Sequence, residues 1–217
     1  MTRLAVFDCD GTLVDGQASI CEAMEAGFAA ADLPMPDRND IRRIVGLSLP
    51  MAMTELAPGA SEDQRARAVE GYKDSFFTAR TEGRVEEPLY EGMKELLYAL
   101  RDDGWQLAVA TGKSDRGLTA VLAAHGITDL FVSLQTADRH PSKPDPTMLA
   151  AAMFDAGAMP EGTVMIGDTT FDIHMGRAAR TRCIGVDWGY HETHELIEAG
   201  AVGVASTMDE LKALIDG

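Results

Sequence analysis

Two carboxylates, Asp8 and Asp10, follow a short apolar run near the start of the chain, and Gly11 comes directly after them. If residues 4–7 form a strand, its period of two places both carboxylates on one side, with Cys9 turned away. Two such carboxylates repel each other and stay ionised together only beside a cation. A hard cation such as Mg²⁺, which prefers oxygen ligands, suits this pair. Gly11 permits a tight turn that brings backbone N–H groups close to it.

Acidic side chains also gather at the end of another apolar run. Residues 163–166 lead into Gly167 and Asp168, and Asp172 follows four residues later. If a helix begins at Thr170, Asp172 lies one turn away from Asp168. This stretch therefore predicts a second group of carboxylates at a strand end.

Groups suited to binding an anion follow a third run, residues 107–110. Thr111 supplies a hydroxyl, Gly112 a closely approachable N–H, and Lys113 a cation. Lys143 lies in a separate loop that three nearby prolines stiffen, so its ammonium group is held in place.

These residues need a framework that brings distant strand ends together. Apolar runs of four or five residues occur at 4–7, 107–110, 130–134, 163–166, 183–186 and 202–205, with amphipathic helical patterns at 94–101, 118–125, 147–154 and 209–215. Such alternation is typical of a doubly wound α/β fold with a parallel sheet buried on both faces. Ligands bind such sheets at the carboxyl ends of the strands.

Residues 16–83 break this alternation, because they show only helical patterns: 19–31, 37–45, 48–57 and 61–81. Capping boxes are predicted at Ser19 with Glu22 and at Ser61 with Gln64, and Asp15 is expected to cap a helix. A crossover needs only about a dozen residues. We therefore expect a Rossmann-like core of residues 1–15 and 84–217, with a helical domain of residues 16–83 inserted after the first strand.

Composition narrows the possible partners. The chain has 217 residues, 46% of them hydrophobic, and a formal net charge of −16, which disfavours nucleic acids and anionic membranes. Apolar runs are shorter than a membrane helix requires and no leader pattern is visible, so a cytoplasmic protein is expected. Cys9, Cys21 and Cys183 are widely separated and are expected to be reduced thiols. Oligomeric state is left open.

Four motifs together resemble those of the haloacid dehalogenase-like hydrolases, in particular phosphoglycolate-phosphatase-like enzymes with an inserted helical cap. In chain order they are DCDGTLVD at 8–15, the hydroxyl residue Thr111, Lys143 of KPDP, and GDTTFD at 167–172. The resemblance covers the whole chain. It implies the strand order 5-4-1-2-3, which would gather all four motifs at one end of the sheet.

The resemblance also implies a reaction. Asp8 would attack phosphorus and carry an aspartyl-phosphate. Asp10 would first be the general acid for the leaving oxygen and then the general base for water. Mg²⁺ would be bound by Asp8, by the Asp10 backbone carbonyl and by Asp168, while Asp172 would act through water or hydrogen bonds.

Phosphoryl oxygens would be bound by Thr111, the Gly112 N–H and Lys143. The four carboxylates still outweigh Mg²⁺ and Lys143, so an incoming phosphate would need a further cation. Lys113 is one candidate, with a solvated loop lysine as the other reading. The expected substrate is a small phosphorylated metabolite, phosphoglycolate-like or a sugar phosphate, selected by the cap.

Within the cap, residues 45–51 resemble a loop that family members project toward the substrate. Arg42 and Arg43 precede it and could meet a second anionic group, although a solvated helix face is the preferred reading.

Three alternatives stay open on the sequence, one of them a pyrophosphatase or nucleotidase with a broad substrate range. A hexose phosphomutase of the same family also keeps both aspartates, but its relatives usually carry an arginine after the serine of the cap loop, where Ser48 is here followed by Leu49. A phosphoacceptor signalling module uses similar residues on a similar sheet, but it is shorter and needs no helical insertion. Dehalogenases and phosphonate hydrolases lack the second aspartate.

Overall fold

A six-stranded parallel sheet forms the centre of the computed structural model, which describes residues 2–217. Its strands are β1 (Leu4–Phe7), β2 (Gln106–Thr111), β3 (Phe131–Thr136), β4 (Thr163–Gly167), β5 (Arg182–Val186) and β6 (Gly203–Ala205). They lie in the order β3-β2-β1-β4-β5-β6. The expected doubly wound α/β fold is confirmed, and β6 extends the expected five-strand order at one edge.

Helices cover both faces of this sheet. The helices are α1 (Gln17–Ala30), α2 (Arg38–Arg43), α3 (Leu49–Leu56), α4 (Glu62–Thr81), α5 (Met93–Asp102), α6 (Asp115–His125), α7 (Thr147–Ala156), α8 (Thr170–Ala178), α9 (Thr193–Ala199) and α10 (Met208–Asp216). Ala5 and Phe7 of β1 join the apolar cluster formed with α5, α6 and α10, whereas Leu4 and Val6 join the cluster with α7 and α8. Because both faces are covered, the strand reads as one continuous apolar run.

Four helices, α1 to α4, lie between β1 and the rest of the sheet and share an apolar cluster of their own. Its buried members include Met24 and Phe28 of α1 and Met53 of α3. Helices α1 and α4 approach closely at Gly27, where an added Cβ would lie 2.5 Å from the backbone oxygen of Ala68. The limits of the helical domain, residues 16 and 83, stay a prediction.

One of the two predicted capping boxes is present. Ser61 and Gln64 cap each other at the start of α4, but the box at Ser19 and Glu22 is wrong, because α1 begins two residues earlier, at Gln17. The Ser19 hydroxyl instead lies inside the helix and accepts a hydrogen bond from the N–H of Glu86 (3.1 Å). Sequence spacing did not reveal this tertiary partner.

The N-cap residue of α1 is Gly16, so Asp15 lies one residue before the predicted cap position. Its carboxylate still accepts from the backbone N–H of Gln17 (3.2 Å). Among residues 2–217, no helix combines the length and the apolar character needed to cross a bilayer.

Candidate active site

Asp8 and Asp10 lie in a tight loop at the carboxyl end of β1. The N–H of Gly11 donates to the carbonyl oxygen of Val14 (2.9 Å) and closes the loop. Gly11 has a φ of +84°, and a Cβ there would lie 2.2 Å from Oδ2 of Asp168. Glycine is therefore required both by the backbone conformation and by the close approach of β4.

Three buried carboxylates meet at the ends of β1 and β4. Asp8, Asp168 and Asp172 are each fully buried, and one ligand oxygen from each lies within 4.8 Å of the others. Asp168 accepts hydrogen bonds from the Thr12 hydroxyl (2.7 Å) and the Tyr190 N–H (3.0 Å). These bonds fix the carboxylate of Asp168 in the cluster.

Asp172 is held more tightly than Asp168, because it lies in a capping box with Thr169 at the start of α8. Its Oδ2 accepts from both the backbone N–H (3.1 Å) and the hydroxyl (2.7 Å) of Thr169. Its other oxygen, Oδ1, lies 2.6 Å from Nζ of Lys143. Asp172 therefore has few lone pairs left for a further partner.

Lys143 places its ammonium group among these acids. Its side chain is fully buried, and Nζ also lies 2.9 Å from Oδ1 of Asp8. Burial acts to lower the pKa of Lys143, but the carboxylates of Asp172 and Asp8 outweigh burial and raise it above its ordinary value. A buried cation thus offsets part of the negative charge of the cluster.

One cation does not neutralise three carboxylates. Burial raises the pKa of Asp8 from 3.8 to about 7, even though Lys143 acts to lower it. Burial, together with Asp172 and Asp8, also raises the pKa of Asp168 well above its ordinary value. Oδ2 of Asp8 is buried without a hydrogen-bond partner among the described residues. This oxygen is the group of the cluster that a ligand would satisfy.

The carboxylate of Asp10 belongs to a different cluster. Nζ of Lys113 lies 2.8 Å from Oδ1 of Asp10 and 2.8 Å from Oε1 of Glu87. Glu87 in turn pairs with Arg80 of α4 at 2.8 Å. The Lys113 side chain is 9% exposed, so the reading as a solvated loop lysine does not fit.

Glu87 is a residue of this cluster that the sequence motifs did not predict. It lies in a loop, among neighbouring acidic residues and outside any recognisable motif, so no spacing signal pointed to it. Burial acts to raise its pKa, but Lys113 and Arg80 outweigh burial and lower it. Glu87 is therefore an ionised carboxylate inside the protein, held by two cations.

Thr111 and Gly112 lie at the carboxyl end of β2, beside the two clusters. Thr111 is buried, and its Oγ accepts from the N–H of Lys113 (3.2 Å). A Cβ on Gly112 would lie 2.5 Å from the carbonyl oxygens of Gly46 and Leu47. The loop before α3 therefore lies directly on Gly112, and only glycine permits this approach.

Neither arginine next to that loop reaches the site. Arg43 forms two hydrogen bonds with the carboxylate of Glu195 on α9 (2.7 and 2.6 Å). Arg42 donates to the side chain of Asn39 on its own helix. Both side chains bind neighbours at the surface, in keeping with the preferred reading of a solvated helix face.

Comparisons with known proteins indicate the family to which the chain belongs. The family model of the haloacid dehalogenase-like hydrolases matches residues 5–186. A relative from Dickeya dadantii, named "Probable phosphatase IndB", is 35% identical, covering 97% of this chain and 92% of its own. A phosphoglycolate phosphatase from Pseudomonas putida is 27% identical, covering 100% and 80% of the two chains.

A known structure is also similar over almost its full length. The crystal structure of a predicted phosphatase from Clostridium acetobutylicum superimposes with a TM-score of 0.88 at 26% identity, covering 99% of this chain and 98% of that one. The expected family and the expected class, a phosphoric monoester hydrolase, are confirmed by these relatives. The chain belongs to the haloacid dehalogenase-like hydrolase family.

Proposed function

We propose that this protein is a Mg²⁺-dependent phosphatase that hydrolyses small phosphate monoesters through a phosphorylated Asp8. One observation carries the proposal: Oδ2 of Asp8 is buried without a hydrogen-bond partner among residues 2–217, within a cluster of two further carboxylates and Lys143. A buried carboxylate in this state is poised either to attack phosphorus or to bind a cation. Relatives named phosphoglycolate phosphatase make phosphoglycolate the first substrate to test.

A divalent cation fits the donor set. Three carboxylates provide hard oxygen ligands within 4.8 Å of one another, and Lys143 alone leaves them with excess negative charge. Asp8, Asp168 and the backbone carbonyl of Asp10 would hold the ion. Asp172 would orient the site instead, because it already accepts hydrogen bonds from Thr169 and Lys143. When bound, Mg²⁺ supplies positive charge that offsets the acids and polarises a phosphoryl oxygen.

In the first step, an oxygen of Asp8 attacks phosphorus in line with the leaving oxygen. The new bond joins Asp8 to phosphorus, and the bond between phosphorus and the ester oxygen breaks. Asp10 donates a proton to that ester oxygen, so an alcohol leaves. Lys143 and the donors at the end of β2, the Thr111 hydroxyl and the Gly112 N–H, bind the phosphoryl oxygens.

In the second step, Asp10 accepts a proton from water as the water oxygen attacks the phosphorus of the intermediate. The bond between phosphorus and Asp8 breaks, which releases inorganic phosphate and regenerates the Asp8 carboxylate and the protonated form of Asp10. Because Lys113 lies between Asp10 and Glu87, it holds the Asp10 carboxylate at one place through both proton transfers. Lys113 and Glu87 are therefore positioning residues in this proposal.

The test combines two variants of the first motif. Asp8→Asn is expected to lower kcat/KM at least about 10³-fold with Mg²⁺ present, because the attacking carboxylate is lost. Asp10→Asn is expected to accumulate protein that is one phosphoryl group heavier by intact mass spectrometry, because the intermediate forms but is not hydrolysed. Phosphatase activity that survives Asp8→Asn, or that is unaffected by a chelator, would contradict the proposal.

A further inference from the structure

A cavity of about 650 Å³ lies between the inserted helices and the carboxyl ends of the strands. Asp10, Thr111 and Lys113 line it at the sheet end, so it opens onto part of the site proposed above. Pockets of about 300–1,000 Å³ typically bind organic ligands of drug size. A two-carbon acid such as glycolate would leave most of this volume empty of substrate atoms.

The wall that faces the sheet end is apolar and partly aromatic. Helix α1 contributes Ile20 and Met24, and α4 contributes Tyr72 and Phe76. The Tyr72 and Phe76 rings lie 5.5 Å apart between centroids with planes 31° apart. Burial raises the pKa of Tyr72, so its phenol is neutral and offers a hydrogen bond rather than a charge. Such a wall favours a leaving group with a flat apolar body.

Cations inside the cavity are already paired. Lys113 contacts Asp10 and Glu87, and Arg80 contacts Glu87. A substrate carboxylate would therefore have to compete with Asp10 and Glu87 for these two cations.

The remaining basic residues that line the cavity lie at its exposed rim. Lys73, with a side chain 58% exposed, pairs with Glu70 of the same helix. The Arg116 guanidinium lies 4.2 Å from the centroid of the exposed Phe77 ring. A carboxylate attached one carbon from the reacting phosphate would not reach the rim, whereas a larger leaving group could.

We propose that the preferred substrates are phosphate monoesters whose alcohol carries an aromatic ring, rather than phosphorylated two-carbon acids. This inference rests on the proposed function and names the substrate class of the same site. Hydrolysis follows the two steps above, with the ring of the leaving alcohol packed against Tyr72 and Phe76.

The experiment compares kcat/KM for benzyl phosphate, ethyl phosphate and 2-phosphoglycolate with Mg²⁺ present. In all three substrates the ester oxygen is attached to a CH₂ group, so differences report mainly on what the cavity binds. Benzyl phosphate is expected to exceed each of the other two about 10-fold or more, as is typical of discrimination by an apolar pocket. Equal or greater activity on 2-phosphoglycolate would overturn the inference.

Two variants distinguish loss of the contact with the ring from a general loss of protein stability. Phe76→Leu keeps an apolar side chain but removes the ring, so the ratio of benzyl to ethyl phosphate kcat/KM is expected to fall at least about threefold. Phe154→Leu, at a side chain 86% exposed on α7, is the matched control and should keep the wild-type ratio. An unchanged ratio in correctly folded Phe76→Leu, checked by circular dichroism, would overturn the inference.

Failure of this inference is distinguishable from failure of the proposed function. If esters are hydrolysed and Asp8→Asn abolishes the activity, but 2-phosphoglycolate is preferred, only the substrate class is wrong. If no ester is hydrolysed, or if Asp8→Asn retains the activity, the proposed function itself fails.

Discussion

Without a bound cation, ionised Asp8 at its buried position lowers the stability of the folded protein, and this effect depends on pH. Burial raises the pKa of Asp8 from 3.8 to about 7 and raises that of Asp168 as well. Between pH 3.8 and about pH 7, the folded protein without metal therefore binds more protons than the unfolded chain. The two protonated carboxyls stabilise the fold at low pH, and this stabilisation is lost as the pH rises through about 7.

The prediction is best tested as the difference in free energy of unfolding between wild type and Asp8→Asn, since asparagine does not titrate. Burial lowers the pKa of His191, so this residue makes the free energy of unfolding rise with pH over the same range. Its contribution is the same in both proteins and cancels in the difference. With a chelator present, the free energy of unfolding of wild type relative to Asp8→Asn should fall between pH 5 and pH 8. The slope should not exceed about 1.4 kcal/mol per pH unit.

Urea denaturation at several pH values provides the measurement. Saturating Mg²⁺ should reduce the slope, because a bound cation favours the ionised form of Asp8. A difference that stays constant over this pH range would contradict the assigned environment of Asp8.

Lys113 gives a second prediction at the residue scale, because it joins Asp10 to Glu87. Lys113→Met removes the cation between these two carboxylates and leaves only Glu87 paired, with Arg80, so Asp10 should no longer be held for proton transfer. We expect kcat/KM for ethyl phosphate, which reports the first step only, to fall about 10²-fold, which is the lower range for loss of general acid catalysis. With 4-nitrophenyl phosphate the loss should be smaller, because nitrophenolate leaves without a proton.

The control for this variant is Lys212→Met, which removes an exposed lysine paired with Asp103 and Asp216, far along the chain. It should keep wild-type kcat/KM on both substrates. Equal losses of kcat/KM on the two substrates in Lys113→Met would show that Lys113 acts on folding or binding and not through proton donation by Asp10.

The sequence predicts that some of these side chains lie together, for a physical reason, while their roles stay a prediction. Asp8, Lys143 and Asp168 come from short motifs whose chemistry is local, and parallel strands bring their carboxyl ends to one edge. Glu87 has no such motif. Its role arises because Arg80 and Lys113, from two distant segments, converge on it.

At the scale of elements, the six apolar runs predicted the strands because burial on both faces of a parallel sheet demands continuous apolar sequence. Helix starts were less predictable where a tertiary contact decides them. Ser19 has the spacing of a cap, but its hydroxyl is used by the backbone of Glu86, and α1 begins earlier. Capping patterns report only local hydrogen bonds.

The close contact between α1 and α4 supplies a stability prediction. Alanine normally stabilises a helix relative to glycine by about 0.5–1 kcal/mol. At Gly27 the added Cβ would lie 2.5 Å from the backbone oxygen of Ala68 and 3.1 Å from the backbone nitrogen of Tyr72, so the helices must separate. Gly27→Ala is therefore expected to lower the free energy of unfolding by about 1–3 kcal/mol.

Urea denaturation of Gly27→Ala is compared with that of Gly59→Ala. Gly59 has no atom within 4 Å of its added Cβ, so that variant should stay within about 0.5 kcal/mol of wild type. If Gly27→Ala proved as stable as wild type, the tight packing of α1 on α4 would be wrong.

At the scale of the whole molecule, several polar contacts join the inserted helices to the core. Arg43 of α2 pairs with Glu195 of α9 at 2.6 Å, and the Ser48 N–H donates to the hydroxyl of Ser142 (2.9 Å). In the proposed phosphatase the cavity lies between the inserted helices and the strand ends, so contacts that hold the helices on the core favour the arrangement in which both walls contact the substrate.

This arrangement predicts that removing a contact between the inserted helices and the core weakens substrate binding. The Arg43 side chain is 44% exposed, so solvent screens its pair with Glu195 and the effect should be modest. Arg43→Gln is expected to raise KM for the preferred substrate about two- to threefold relative to wild type. At about 1 M salt, where the Debye length is about 3 Å, this ratio of KM values should approach one.

Arg38→Gln is the matched control, because Arg38 pairs with Glu25 and both residues belong to the inserted helices. Its loss removes an exposed ion pair of the same kind without touching the core, so KM should stay at the wild-type value. Both variants lose one positive charge from a net charge of −16, so they repel a phosphate dianion alike, and comparing them removes this general salt effect. Equal KM values for Arg43→Gln and Arg38→Gln at low salt would mean that the contact between α2 and α9 does not contribute to substrate binding.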